Sequence, residues 1–188
     1  MKHFQLILAG LTVAILAGCA GGPETTPAPA RDYLVELGDA EATGTLDIAR
    51  DIALEYLADP ARGDLSTRLD VAEFLAANSA PEAALQEYTH QAEALGMPEQ
   101  GDQIALIDLK ARMAELALAA GDPALSARFT GEAAALVQLH LGADHPRLAP
   151  LLGFARANDL DMTIVAEFGG LTETDIALAE SIERAREA

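Results

Sequence analysis

The thiol of Cys19 is the most reactive side chain in this sequence, and it is the only cysteine of the chain. A lone cysteine has no internal partner for a disulfide, and the thiolate is its nucleophilic form. The run "FQLILAGLTVAILA" at 4–17 is mostly apolar and ends in Ala17. Gly18 follows it, so Cys19 comes directly after two small residues. This position favours a covalent modification of the sulfur at the end of the apolar run.

The apolar run at 4–17 is too short for a transmembrane helix, which needs about 20 apolar residues. Its length matches the apolar core of a secretory signal, about 7–15 residues, and Lys2 supplies the positive charge that precedes such a core. The alternative is an ordinary anchor helix that happens to carry a free cysteine.

The sequence "LAGC" at 16–19 resembles the lipobox of bacterial lipoproteins. The resemblance implies that residues 1–18 are a signal peptide, removed after the sulfur of Cys19 receives a diacylglycerol. In that family an aspartate after the cysteine retains the protein in the inner membrane, and this chain has Ala20 there. The resemblance therefore implies a lipid anchor in the outer membrane, facing the periplasm. Each buried methylene of an acyl chain contributes about 0.8 kcal/mol, so several chains anchor a protein stably.

The net charge of −18 excludes one class of partner. Nucleic-acid binding needs basic surface to neutralise phosphates, and anionic lipid head groups also repel an acidic surface. We therefore expect the chain to touch the membrane through its lipid alone. Residues 20–32 are rich in glycine, proline and threonine, which favours a disordered tether. The predicted linker, with the lipidated cysteine, spans 19–44.

The histidines give no sign of catalysis or metal binding. His3 falls in the predicted signal peptide, and His90, His140 and His145 lie in no HExxH or similar motif. His140 and His145 with Asp144 are the one combination worth weighing as metal ligands, but five residues separate the two histidines across a glycine-containing turn. We predict no enzyme activity, no cofactor and no metal.

Residues 45–188 are dominated by alanine and leucine, with few aromatic residues, which predicts an all-α domain. The domain is divided into helices by polar residues that can cap a helix and by glycine or asparagine residues that can end one. The predicted helices span about 46–58, 65–77, 80–95, 103–120, 123–141 and 146–157, with a short helix before 169 and a last one from 173. The predicted N-caps are Thr45, Asp64, Ser79, Asp102 and Asp122, with a Thr172–Asp175 capping box. The helix after Asp102 is apolar nearly all round except for Asp108, Arg112 and Glu115, so several neighbours must cover it.

The turns between these helices repeat. Asn78 and Gly121 each end a first helix, and they are 43 residues apart (121 − 78). A period of this length made of paired helices indicates a helical solenoid. The segments "LGADHPRLAPLLGFA", "LALAAGDPALSA" and "AALQEYTHQAEAL" resemble the tetratricopeptide repeat family. The chain departs from the pattern at Gly131, where an aromatic equivalent of Tyr88 is expected. The resemblance implies a solenoid of about three hairpins with a C-terminal capping helix; an irregular helical bundle is the alternative.

In tetratricopeptide domains, ligands usually lie against the first helix of each pair. Five basic residues fall on the predicted first helices and are the candidate peptide-binding residues: Arg68, Lys110, Arg112, Arg147 and Arg156. In this interpretation they hold the carboxylates of an extended peptide. In the alternative they neutralise nearby acids, as Asp108 with Arg112 or Arg128 with Glu132 would at i, i+4 spacing.

The sequence thus predicts a lipid-anchored periplasmic adaptor that binds a protein or peptide partner during assembly of an envelope complex. Two alternatives are a structural spacer without a specific ligand and a pilotin-like escort of an outer-membrane channel. A repeat fold specifies a surface rather than a reaction, so the prediction names a class of partner and no reaction.

Overall fold

The computed structural model describes residues 31–95 and 102–187, and this part of the chain is helical throughout, with no strand. Its helices are α1 (Tyr33–Ala42), α2 (Leu46–Leu57), α3 (Leu65–Ala77), α4 (Pro81–Leu95), α5 (Gln103–Ala119), α6 (Pro123–Leu141), α7 (Leu148–Ala157), α8 (Met162–Gly169) and α9 (Glu173–Glu187). The all-α prediction is confirmed. Cys19, the predicted signal peptide at 1–18 and most of the predicted linker lie outside the described residues.

Side-chain caps begin most of these helices where the sequence predicts them. Asp64, Asp102 and Asp122 each accept a hydrogen bond from a backbone N–H in the first turn. Thr172 and Asp175 form the predicted reciprocal box, with Thr172 N donating to Asp175 at 2.8 Å. Thr45 does not cap α2; its hydroxyl donates instead to the carbonyl of Ala40 at 3.0 Å, because the preceding turn brings that carbonyl within reach.

Helix α1 lies inside the predicted linker, so helical structure begins well before the predicted boundary at residue 45. Asp32 caps the helix by accepting from the N–H of Val35 at 3.3 Å. Leu37 and Ala40 are buried, and α1 packs on α2. The apolar surface buried between the two helices offsets the ordering entropy of this segment, although a glycine lies inside α1.

Four pairs of helices, α1/α2, α3/α4, α5/α6 and α7/α8, are joined by the same type of turn, where about three hairpins are predicted. Each turn contains one residue with positive φ, namely Gly44, Ser79, Gly121 or Asp159. The N–H of the residue that follows donates at 2.9 Å to the carbonyl five residues before it, for example from Asp122 to Ala117. This is the bond of the Schellman motif.

The positive-φ residues correct the predicted spacing of the turns. Ser79, rather than Asn78, has the left-handed conformation of Gly121, so these two turns are 42 residues apart (121 − 79) and not 43. With this offset the counterpart of Tyr88 is Thr130, not Gly131. The aromatic residue is thus still absent in the corrected register, and Gly131 is the counterpart of Thr89 (89 + 42).

The helices pack in chain order from α1 to α7, while α8 packs mainly on α6 and α9 packs on α7. Buried apolar side chains form two clusters, and α5 contributes Met113 to the first and Ile107 to the second. The prediction that several neighbours cover this helix is confirmed. Within the described residues, no helix is both long and apolar enough to cross a membrane.

Gly131 of α6 allows α8 to approach very closely. An ideal Cβ atom at Gly131 would lie 2.7 Å from the carbonyl oxygen of Val165 and 3.0 Å from the backbone nitrogen of Gly169. No side chain fits at these distances, because both neighbouring atoms belong to the backbone. The glycine thus sets the separation of the two helices.

Candidate functional site: the groove along α5

Two clefts flank α5 on the side formed by α3, α5 and α7. The first, of about 420 Å³, lies between α3 and α5, and its lining includes Leu65, Leu69 and Tyr88. The second, of about 300 Å³, lies between α5 and α7, and its lining includes Leu151 and Phe154. Asp108 of α5 lines both clefts. We call the two clefts together the α5 groove.

An arginine bridges α3 and α5 in the first cleft. Arg112 donates from Nε to Oε1 of Glu73 at 2.8 Å and from Nη2 to Oε2 at 2.6 Å, in a bidentate pair. The same guanidinium also donates to Glu115, and the hydroxyl of Tyr88 donates to Glu73. The hydrogen bonds from Arg112 hold the pKa of Glu73 below its usual range, against the opposing effect of burial. Burial and the bond to Glu73 raise the pKa of the Tyr88 hydroxyl.

A second ion pair joins α5 to the start of α7. Nη1 of Arg147 donates to Oδ1 of Asp108. Both cross-helix pairs join an acid to a base 39 residues later in the chain, Glu73 with Arg112 and Asp108 with Arg147. The two pairs do not occupy equivalent positions in their helices, because Glu73 lies six residues before Ser79 (79 − 73) whereas Asp108 lies 13 residues before Gly121 (121 − 108).

The five candidate peptide-binding residues do not lie together. Arg112 and Arg147 line the α5 groove. Lys110 points to α6, where its Nζ lies 2.6 Å from Oε2 of Glu132. Arg156 is half-buried in the last turn of α7 and is not part of the lining of either cleft. Arg68 is buried, so the structure brings two of the five residues into one groove.

Arg68 is 3% exposed and its guanidinium is enclosed by acceptors, which contradicts its predicted role as a surface ligand. Its Nε and Nη2 donate to the two carboxylate oxygens of Glu87 at 2.6 and 2.7 Å. Its remaining bonds are to backbone carbonyls of the α2–α3 connection, those of Leu57, Asp59 and Arg62. Arg68 thus fastens the α2–α3 connection to α4.

The carboxylate of Glu87 is stabilised in its charged form although it is 6% exposed. Burial raises the pKa of Glu87. The hydrogen bonds from Arg68 and Gln91 lower it by a larger amount, so the pKa lies below its usual range. A fully paired buried charge of this kind is a structural element. Arg68 and Glu87 lie at the floor of a cleft of about 400 Å³ between α2 and α4, where each already has a partner within the protein.

The acids of the α5 groove are more exposed than the bases. The side chain of Asp108 is 62% exposed against 39% for Arg147. Glu115 and Glu73 are 49% and 41% exposed, against 34% for Arg112.

The predicted i, i+4 pair of Asp108 with Arg112 is wrong, because each pairs across helices instead. The predicted pair of Arg128 with Glu132 is confirmed at 2.7 Å.

Sequence reasoning identified the polar strip of α5 but missed its partners. Glu73 does not stand out in the sequence, since it is one acid among 30. No local pattern in the sequence marks Glu73, because its pairing with Arg112 is set by the approach of α3 to α5.

No protein-family model, curated protein or solved structure matches this chain. The function is therefore argued from the residues and their geometry.

The histidines weighed as metal ligands lie at the end of α6 and in the turn before α7. Nδ1 of His145 accepts a hydrogen bond from the backbone nitrogen of Arg147 at 3.2 Å, so this nitrogen forms part of the turn. Within 31–95 and 102–187, no three side chains of the types that bind metals are grouped as a site.

Proposed function

We propose that this protein is a lipid-anchored, periplasm-facing adaptor that binds an extended segment of a partner protein in the α5 groove. The observation that carries the proposal is the α5 groove itself, two adjoining clefts with apolar walls on the side of three successive first helices. Concave, mostly apolar clefts with a few fixed polar groups are typical binding sites.

The resemblance to tetratricopeptide repeats supports this choice of surface. We propose that the four helix pairs form a solenoid of this type and that α9 covers its last pair. The Schellman turn that recurs at Gly44, Ser79, Gly121 and Asp159 favours a repeat over an irregular bundle. The first helices of such a repeat line a groove that runs across successive pairs.

Lipidation of Cys19 would keep this groove close to the membrane. Cys19 precedes the start of α1 at Tyr33 by 14 residues (33 − 19), which reach about 50 Å at most when fully extended. A partner bound in the groove would then be held near the bilayer instead of diffusing freely. We propose that the protein positions such a partner during assembly of an envelope complex.

The lipid anchor is tested by replacing Cys19 with serine. We expect the parent protein to sediment with the outer membrane and the Cys19→Ser variant to move to the soluble periplasmic fraction, since the variant has no sulfur to acylate. Metabolic labelling with a radioactive fatty acid should mark only the parent. A variant that stays in the membrane fraction and still incorporates label would contradict the anchor.

The adaptor function is tested by site-specific photo-crosslinking in cells. A photoreactive amino acid is placed at Leu65, in the first cleft, and at Leu151, in the second. We expect both positions to crosslink to the same small set of envelope proteins. The matched control is Ile48, which is 57% exposed on α2 and does not line the α5 groove.

Equal, low crosslinking at all three positions would contradict the adaptor function and favour a spacer without a specific ligand. Crosslinking mainly to the subunit of an outer-membrane channel, with loss of the channel from the membrane when the chain is deleted, would favour the pilotin-like alternative.

A further inference from the structure

We infer that the α5 groove binds a peptide segment in which two apolar side chains flank a lysine or arginine, the opposite charge from the carboxylate-bearing ligand that the sequence predicts. The inference rests on the proposed function of the groove and specifies the chemistry of its ligand.

The apolar side chains of the ligand are required by the walls of the two clefts. Leu65 and Leu69 line the first cleft, and Leu151 and Phe154 line the second. Burial of a leucine-sized ligand side chain in each cleft removes apolar surface of both molecules from water. Since the clefts adjoin at Asp108, one extended segment can place a side chain in each.

The two arginines of the groove are already neutralised by the protein. Arg112 is held in a bidentate pair by Glu73 and also donates to Glu115. Arg147 donates to Asp108 from Nη1 alone, so its other donors take no part in that bond, but its side chain is less exposed than that of Asp108, 39% against 62%. A ligand carboxylate would have to displace these acids and would then lie beside them, where like charges repel each other.

The acids of the groove also have capacity to accept hydrogen bonds, and they are more exposed than the arginines that they pair with. Arg147 engages Oδ1 of Asp108, while Oδ2 takes no part in that bond and the side chain is 62% exposed. An ionised carboxylate offers about four acceptor positions, so one guanidinium does not saturate it. Glu115 is 49% exposed on the same face of α5. A cationic ligand side chain between the two clefts meets Asp108 first.

The charge of the whole chain acts in the same direction. A net charge of −18 attracts basic ligands and repels acidic ones over several ångströms in solution. This long-range attraction is not specific to the groove, so the test must separate it from a local contact with Asp108.

The test uses two fluorescent peptides of equal length and the full chain. Both peptides carry two leucines around a central residue, which is lysine in one and glutamate in the other. Binding is followed by fluorescence anisotropy at low and at physiological salt. We expect the lysine peptide to bind about tenfold more tightly or better, as charge-assisted hydrogen bonds allow.

Two charge-matched variants locate the preference. Asp108→Asn should remove most of the discrimination between the peptides, because it removes the central anion of the groove. Asp51→Asn makes the same charge change at an exposed position of α2 outside both clefts and should leave the discrimination within about twofold of the parent. Leu65→Ser should weaken the binding of both peptides by a similar factor.

Equal effects of Asp108→Asn and Asp51→Asn would overturn the inference, since the preference would then be general electrostatic attraction. Tighter binding of the glutamate peptide, or no binding of either peptide, would also overturn it. The proposed function is judged separately by the crosslinks from Leu65 and Leu151, which do not depend on the charge of the ligand.

Discussion

Replacement of Arg68 by methionine is expected to lower the free energy of unfolding by about 3–5 kcal/mol, the cost of leaving one partner of a buried ion pair alone. The variant keeps most of the apolar volume of the side chain but leaves the carboxylate of Glu87, which is 6% exposed, without its cation. It also removes the donors to the carbonyls of Leu57, Asp59 and Arg62. Urea unfolding followed by far-UV circular dichroism measures the loss.

A matched arginine on the surface provides the control. Arg112→Met also breaks a bidentate pair with a glutamate, but Arg112 and Glu73 are 34% and 41% exposed. Water then solvates the carboxylate that is left, and the expected loss is about 1 kcal/mol or less. The double variant Arg68→Met with Glu87→Leu should recover part of the stability, because it removes the unpaired charge. Equal losses for Arg68→Met and Arg112→Met would contradict the burial argument.

The same ion pair predicts how stability depends on pH. The pKa of Glu87 in the folded chain lies below its usual value, so its contribution is fully present above the unfolded pKa of about 4.3 and is lost as the pH falls through the folded value. Arg68→Met removes the hydrogen bonds and the charge of the guanidinium, which lower the pKa of Glu87. The burial that raises this pKa remains. We therefore expect the variant to lose less stability than the parent between pH 5 and pH 3.

Substitution of Gly131 by alanine is the second large effect, with an expected loss of about 1–3 kcal/mol, as for other overpacked cores. The added methyl group would meet the carbonyl oxygen of Val165 at 2.7 Å and the backbone nitrogen of Gly169 at 3.0 Å. Backbone atoms cannot rotate away, so α8 has to move off α6. Thermal unfolding measures the change.

Gly38 provides a control with the opposite expected sign. It lies inside α1, with no atom within 4 Å of the Cβ position, and it is exposed. Gly38→Ala should raise the free energy of unfolding by about 0.5–1 kcal/mol, because alanine loses less backbone entropy in a helix. Destabilisation by both substitutions would show that the effect at Gly131 is not specific to the contact of α6 with α8.

Local signals in the sequence predicted most of the helices because their causes are local. Asp64, Asp102 and Asp122 cap helices through bonds to residues two or three positions on, and Gly121 ends α5 with its own backbone. Such features need no knowledge of the rest of the chain.

The features that were missed depend on distant residues. Helix α1 exists because α2 covers Leu37 and Ala40, and the sequence around it reads as a linker. Arg68 resembles any other surface arginine until the fold brings Glu87 to it from 19 residues away. Arg112 and Arg147 line the α5 groove, but the acids that hold them were not predicted, because pairing across helices is set by packing rather than by i, i+4 spacing.

The four repeated turns have a consequence for how quickly the chain reaches its native state. Each turn is closed by a bond between residues five apart, and most helices pack on a neighbour in sequence. Proteins whose contacts are mostly short in sequence separation fold in microseconds to milliseconds, since little loop-closure entropy opposes each step. The chain is therefore expected to fold one helix pair at a time, which leaves little time for unpaired apolar surface to aggregate.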